Sequence, residues 1–121
     1  MRIANELVSY ELADGVATMV LDNGKANAIS YELIKQINQC LDRAEADQAP
    51  VVMTSKGKIF SAGYDLQVMN QGMQAAMGLV NLGSELSRRL LSFPHPVVAA
   101  CNGHAMAKGA FLLLSADMRI G

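Results

Sequence analysis

"KIFSAGYDLQ", residues 58–67, runs from a bulky apolar pair, Ile59 and Phe60, through Ser61, Ala62 and Gly63, three of the smallest side chains, into Tyr64, Asp65 and Leu66. The apolar pair reads as the end of something buried. Asp65 reads as a helix start, where a short carboxylate can accept from the first helical N–H groups. A turn nearly stripped of side chains has two explanations. One is tight packing. The other is a partner that must touch the main chain itself, which only small residues allow.

The plan occurs twice. "VVMTSKGKIFSAGYDL", residues 51–66, and "VVAACNGHAMAKGAFLLL", residues 97–114, each contain a buried "VV" strand, a glycine-containing loop and a small-residue turn entering a helix. In open α/β sheets, ligands bind beyond the carboxyl ends of the strands, where both turns should lie. A helix start leaves N–H groups without partners and carries partial positive charge. Two such starts side by side can aim two N–H donors at one oxygen, the arrangement that stabilises an oxyanion.

The rest of the chain is read outward from these turns. "LVSYELADGVATMVLDNG" predicts a hairpin: strand Leu7 to Leu12, turn Asp14-Gly15, strand Val16 to Leu21. "NGKANA", residues 23–28, is a loop. Ser30 offers an N-cap hydroxyl and Glu32 a first-turn carboxylate, and Leu33, Ile34, Ile37, Leu41 and Ala44 recur at helical spacing, so 31–46 is an amphipathic helix that Pro50 ends. Residues 66–91 are helical in pattern, with Leu79, Leu82, Leu86 and Leu90 as a stripe. Their first half, "QVMNQGMQAAMG", has two glycines and three methionines, which predicts a mobile stretch. "FPHP" ends that helix, "VVAAC" is a strand, "NGHAMAKG" a loop, "AFLLLSA" a short buried helix and "DMRIG" the start of a further strand. Strands alternating with helices predict parallel pairing, so the fold class is α/β.

The length of 121 residues allows one domain or part of one. With 51% hydrophobic and 17% charged residues, so short a chain has difficulty covering itself. That implies oligomerisation or a missing remainder of the fold. A net charge of -1 with no basic face excludes nucleic acid as the expected partner. The apolar stretches are too short to cross a bilayer, and Asn5 and Glu6 interrupt the start before a signal peptide could form. Cys40 and Cys101 lack metal-ligand spacing and read as thiols in a reducing compartment, so the expected location is the cytoplasm.

"IFSAGYDL" with "NGHAMAKGAFLLLSAD", preceded by "NGKANAIS" and the hairpin, resembles the crotonase superfamily, the enoyl-CoA hydratase/isomerase family, along the whole chain. The resemblance implies a ββα spiral of which residues 1–121 form the N-terminal part, truncated before the C-terminal helices. It implies a homo-oligomer (trimer or hexamer) and an acyl-CoA thioester as the bound partner. Coenzyme A would enter as part of the substrate, with no other cofactor and no metal. The oxyanion donors would be the backbone N–H groups of Tyr64 and Lys108. The main chain around Ala62, Gly63, Asp65 and Leu66, with Gly109, would hold the substrate, and Lys25, Ala26 and Asn27 would line its pantetheine or nucleotide side.

This sequence departs from that pattern. Lys108 stands where the family usually has glycine; its amide can still donate, while its ammonium must find water or a CoA phosphate. Phe111 stands where the hydratases place a glutamate, and phenylalanine cannot move a proton. The second acid/base residue of the hydratases would lie beyond Gly121. None of Asp65, His95, His104 or Asp117 is a convincing replacement: Asp65 and Asp117 read as structural, His95 as a turn residue, and His104 as a loop histidine bonded to backbone. Tyr64 reads as a pocket wall. Met69, Met73 and Met77 read as acyl-pocket lining or as core filling. The expected function is thioester-enolate stabilisation by an enzyme with a single base. The alternatives are a non-catalytic acyl-CoA-binding or assembly protein and an inactive fragment of a longer enzyme.

Overall fold

The structure, a computed structural model, describes residues 7–22, 29–55, 59–61, 64–100, 104–105 and 118–120. In chain order these form β1 (Val8–Ala13), β2 (Val16–Leu21), α1 (Tyr31–Ala46), β3 (Val51–Ser55), β4 (Ile59–Ser61), α2 (Leu66–Met69), α3 (Met73–Ser92), β5 (Val97–Ala100), β6 (His104–Ala105) and β7 (Met118–Ile120). The class is α/β. A five-stranded sheet has the order β1-β2-β3-β5-β7, antiparallel at β1–β2 and parallel elsewhere. A second, two-stranded parallel sheet pairs β4 with β6.

The hairpin forms because Asp14 and Gly15 take φ of 53° and 78°, the two left-handed conformations that a type I′ turn requires. Ala13 pairs with Val16, so the first strand is shifted one residue along from the expected Leu7–Leu12. Alternation then sorts the sheet. Ala17, Met19 and Leu21, Val51 and Met53, and Val97 and Ala99 are buried, in rows such as Ala17–Val51–Val97 and Met19–Met53–Ala99. Leu33, Ile34, Ile37, Leu41 and Ala44 of α1 join the same core, as do Leu79, Leu86 and Leu90 of α3. Each such fully buried leucine contributes about 1.5–3 kcal/mol. Arg89 ties the two helices together outside the core. It donates to the Asn38 carbonyl (3.2 Å) and Oδ1 (3.0 Å) and to Asp42 Oδ1 (2.7 Å). Cys40 is buried in the α1 face; Cys101 lies outside the described residues.

Three expectations change. First, α1 does not need Pro50 to stop. Gln48 adopts φ 52°, its amide donates to the Glu45 carbonyl (3.1 Å), and the Ala49 amide donates to the Ala44 carbonyl (3.0 Å). This is a Schellman motif with glutamine where glycine is usual, and buried Ala49 supplies its apolar contact. Second, residues 66–92 are not one helix. The chain leaves α2 after Met69 and begins α3 at Met73, and Gly72 between them has φ 125°. Glycine here redirects the chain. Third, His104 and Ala105 form a strand where a loop was expected, because the neighbouring β4 offers a ladder. The expected helix at 110–116 lies outside the described residues, as do residues 23–28.

The hairpin is fastened to α1 at both ends. Gln36 Oε1 accepts from the Leu7 (2.6 Å) and Val8 (3.1 Å) amides. At the other end the Tyr10 hydroxyl donates to Asp47 Oδ2 (2.7 Å), and the Arg43 guanidinium sits 4.2 Å from the Tyr10 ring centroid. Burial, reinforced by the Asp47 bond, pushes the Tyr10 hydroxyl up from 10.0 to about 12.

Two measurements check this account. Gln48→Gly removes the left-handed penalty and raises stability in urea denaturation by about 1 kcal/mol. For Tyr10, the unfolded chain releases its proton near pH 10 while the folded chain keeps it to about 12. The unfolded state therefore binds fewer protons in that window, and stability falls as pH rises. The linked stabilisation is fully present below pH 10 and lost through 12. Tyr10→Phe lacks this slope, so its stability converges on that of the wild type across the window.

Candidate functional site

Two of the predicted site residues have described side chains, and both sit at one junction. Tyr64 forms an isolated parallel bridge with Ile29, and the Asp65 amide donates to the Ile29 carbonyl at 2.7 Å. Along an extended segment, successive N–H groups point to opposite sides. With Asp65 N–H aimed at Ile29, the Tyr64 N–H is turned away from that strand. The described residues include no acceptor for it. The Tyr64 ring is half-buried and packs against the core. Burial pushes its hydroxyl above the ordinary tyrosine value, so the hydroxyl stays protonated at neutral pH and is no general base there.

Asp65 is a helix-start carboxylate, as read from the sequence. Its Oδ1 accepts from the Gln67 amide (2.8 Å), and its carbonyl takes the Met69 amide (3.1 Å) to close α2. That bond gives the side chain a structural task. Leu66 opens α2. Lys25, Ala26, Asn27, Ala62, Gly63, Lys108, Gly109, Phe111 and Asp117 lie outside the described residues.

The strands that lead in sequence to the two small-residue turns are paired in the β4–β6 ladder, with Ile59 opposite His104 and Ser61 opposite Ala105. The ladder resumes the β3–β5 pairing after a break. The offset between partners is 46 residues at Met53–Ala99, then 45 at Ile59–His104, and 44 at Ser61–Ala105. The register thus shifts by one residue within the ladder, between Ile59 and Ser61.

His95 packs edge-on to Phe93, 6.0 Å between ring centroids, and serves the turn before β5. Met69 is half-buried against the core, while Met73 and Met77 are 78% and 58% exposed and take no part in the core formed by the described residues. Among the described residues no group of three or more His, Cys, Asp or Glu could hold a metal ion, and no helix is long and apolar enough to cross a membrane. A shallow recess bordered by Asp42, Glu45 and Ala46 lies at the far end of α1 from this junction.

Sequence reasoning passed over Ile29, Tyr31 and Gly78. Ile29 carried a signal: Ile29 before the Ser30 cap and Ile34 inside the helix occupy the two positions of a hydrophobic staple, and both are buried. The Tyr31 hydroxyl donates to the Ala75 carbonyl (2.6 Å) beside Gly78, a contact between residues far apart in the chain that no local pattern announces.

Comparison with known proteins identifies relatives for this arrangement. A family model described as "Enoyl-CoA hydratase/isomerase" matches residues 11–121. A probable enoyl-CoA hydratase of Bacillus subtilis is 31% identical over 117 residues, covering 93% of this chain and 45% of the relative. A crystal structure of an enoyl-CoA hydratase/isomerase family protein from Pseudomonas syringae superimposes with a TM-score of 0.92 at 58% identity, covering 93% of this chain and 49% of the other. An enoyl-CoA isomerase structure from Mycobacterium tuberculosis gives 0.89 at 42% identity, with 93% and 50% covered. The chain spans about half the length of the curated relatives it matches.

The structural task of Asp65 is testable. Asp65→Ala lowers stability by about 0.5–2 kcal/mol in urea denaturation, the usual cost of losing a cap acceptor, and Asp65→Asn recovers most of it. A catalytic carboxylate would instead lose activity in both variants without a matching loss of stability.

Proposed function

Since the chain belongs to the enoyl-CoA hydratase/isomerase family, we propose that it binds an acyl-CoA thioester and stabilises the thioester enolate with two backbone amides, those of Tyr64 and Lys108. The observation that carries this reading is the register of β4 and β6. The ladder pairs Ser61 with Ala105, and in sequence Tyr64 follows Ser61 by three residues and Lys108 follows Ala105 by three, so the two strands that lead toward the proposed donors are neighbours. The outward-turned Tyr64 amide supports it further, because a donor with no acceptor among the described residues is one a ligand oxygen can use.

On this reading the protein's contribution is electrostatic. Two N–H dipoles face the oxygen on which charge develops as a proton leaves the carbon beside the thioester, and they need no reorganisation during the step. The small side chains of Ala62 and Gly63 let the thioester lie against the main chain. Asp65, Leu66 and Gly109 frame the substrate by their backbone, and Lys25, Ala26 and Asn27 contact its pantetheine or nucleotide part. Tyr64 contributes its N–H; its protonated hydroxyl takes no proton. Phe111 in place of the hydratase glutamate favours a reaction needing one base, such as double-bond isomerisation, over two-carboxylate hydration. The one base belongs to no residue assigned above.

Residues 1–121 are then the N-terminal part of a crotonase-like spiral domain, in a cytoplasmic homo-oligomer, trimeric or hexameric, that uses no cofactor besides the coenzyme A of its substrate. Phe111 also favours one second reading, an acyl-CoA-binding or assembly protein without turnover.

The test is an amide-to-ester replacement at residue 64, which deletes one N–H and leaves every side chain in place. Loss of the conjugated thioester absorbance of crotonyl-CoA and isomerisation of a 3-enoyl-CoA are followed in the wild type and the ester variant. Losing one oxyanion donor lowers kcat by about 10²–10³-fold, while affinity for free CoA is unchanged. Binding without turnover by the wild type selects the second reading, and absence of acyl-CoA binding defeats both.

A further inference from the structure

The stretch 29–31 grips the segment after Tyr64 twice. The Ile29 carbonyl accepts the Asp65 amide at 2.7 Å, and the Tyr31 hydroxyl donates to the Ala75 carbonyl at 2.6 Å. Between those anchors lie the one-turn helix α2 and the reversal at Gly72. A Cβ on Gly72 would meet nothing within 4 Å, so this glycine is required by its φ of +125° and not by crowding. Gly78 is the opposite case. A Cβ there would lie 2.5 Å from the Tyr31 hydroxyl oxygen but 3.6 Å from the nearest ring carbon, so the hydroxyl is what the missing side chain makes room for. The start of α3 has no side-chain cap on Gly72, which leaves the Tyr31 bond as a side-chain anchor of its first turn.

We propose that Tyr31 is a positioning residue that, seated against Gly78, clasps segment 65–75, which follows Tyr64 in the chain, and so sets which acyl chains the site accepts. The clasp is a statement about the fold alone; its effect on acyl selectivity rests on the function proposed above. The geometry favours a specificity role because the clasped segment carries Val68 and Met69, which like Tyr64 are half-buried against the core, and opens into α3 with exposed Met73 and Met77. Flexible thioethers adapt to different chains, so the position of the segment that carries them becomes the discriminating variable.

Tyr31→Phe, Gly78→Ala and the double variant are compared in the purified protein. In Tyr31→Phe the amides of residues 66–72 exchange hydrogen about 2–10-fold faster, the effect of one hydrogen bond, while exchange in β3 and β5 is unchanged. The ratio of kcat/KM for a long enoyl-CoA to that for crotonyl-CoA shifts by a similar factor, mainly through KM. Gly78→Ala reproduces both effects in the wild type. In the Tyr31→Phe background it adds neither and raises the melting temperature, because alanine favours the helix once the hydroxyl is gone. Unchanged exchange at 66–72, or full additivity of the two substitutions, overturns the clasp. Faster exchange with an unaltered selectivity ratio overturns its role in specificity. A wild type that turns over no enoyl-CoA removes the functional reading, and the exchange arm still decides the clasp.

Discussion

A hydrogen bond from the Asp65 amide to the Ile29 carbonyl joins two parts of the chain that the main sheet does not hold together. On one side is the entry to α1, set by the Ser30 cap, whose Oγ accepts from the Leu33 amide, and by buried Ile29 and Ile34. On the other is the exit from β4 toward α2. Because the segment is extended at the Ile29–Tyr64 bridge, aiming the Asp65 N–H at Ile29 turns the preceding N–H, that of Tyr64, to the opposite side.

A site built this way differs from one built on ionisable groups. Burial keeps the Tyr64 hydroxyl protonated near neutrality, and the Asp65 side chain is engaged with the Gln67 amide. In the function proposed above, the chemistry of this junction is that of oriented dipoles. Dipoles are effective only where the backbone is rigid and water is excluded. The buried rows of β2, β3 and β5 provide the rigidity, and the β4–β6 ladder carries it beyond the edge of the main sheet.

Much of this organisation was legible in the chain, for identifiable reasons. Asp14-Gly15 names its own turn, since few other pairs take two left-handed conformations in succession. Ser30 and the α1 stripe announce a helix by spacing that persists over four turns. The α1 terminus was misattributed to Pro50 because glutamine in a left-handed conformation has no sequence signal. The break at Gly72 was read as weak helix, since one glycine marks low propensity and a reversal alike. Strands of two and three residues such as β6 and β4 are too short to show a period, so only the resemblance of the turns hinted at their pairing. Tyr31 and Gly78 meet only after folding. The helix-start role of Asp65 was legible through the small residues before it and is seen in its bond to the Gln67 amide, while Ile29 was hidden because its part is played by a main-chain carbonyl.

The falling offset between the two crossover units shows which of them is the tighter. Between the rungs Met53–Ala99 and Ser61–Ala105 the first unit advances eight residues and the second six. Each residue of extended chain covers about 3.3 Å, so the second unit has about 6.6 Å less reach than the first. The shorter stretch therefore limits how far the small ladder can stand from the large sheet.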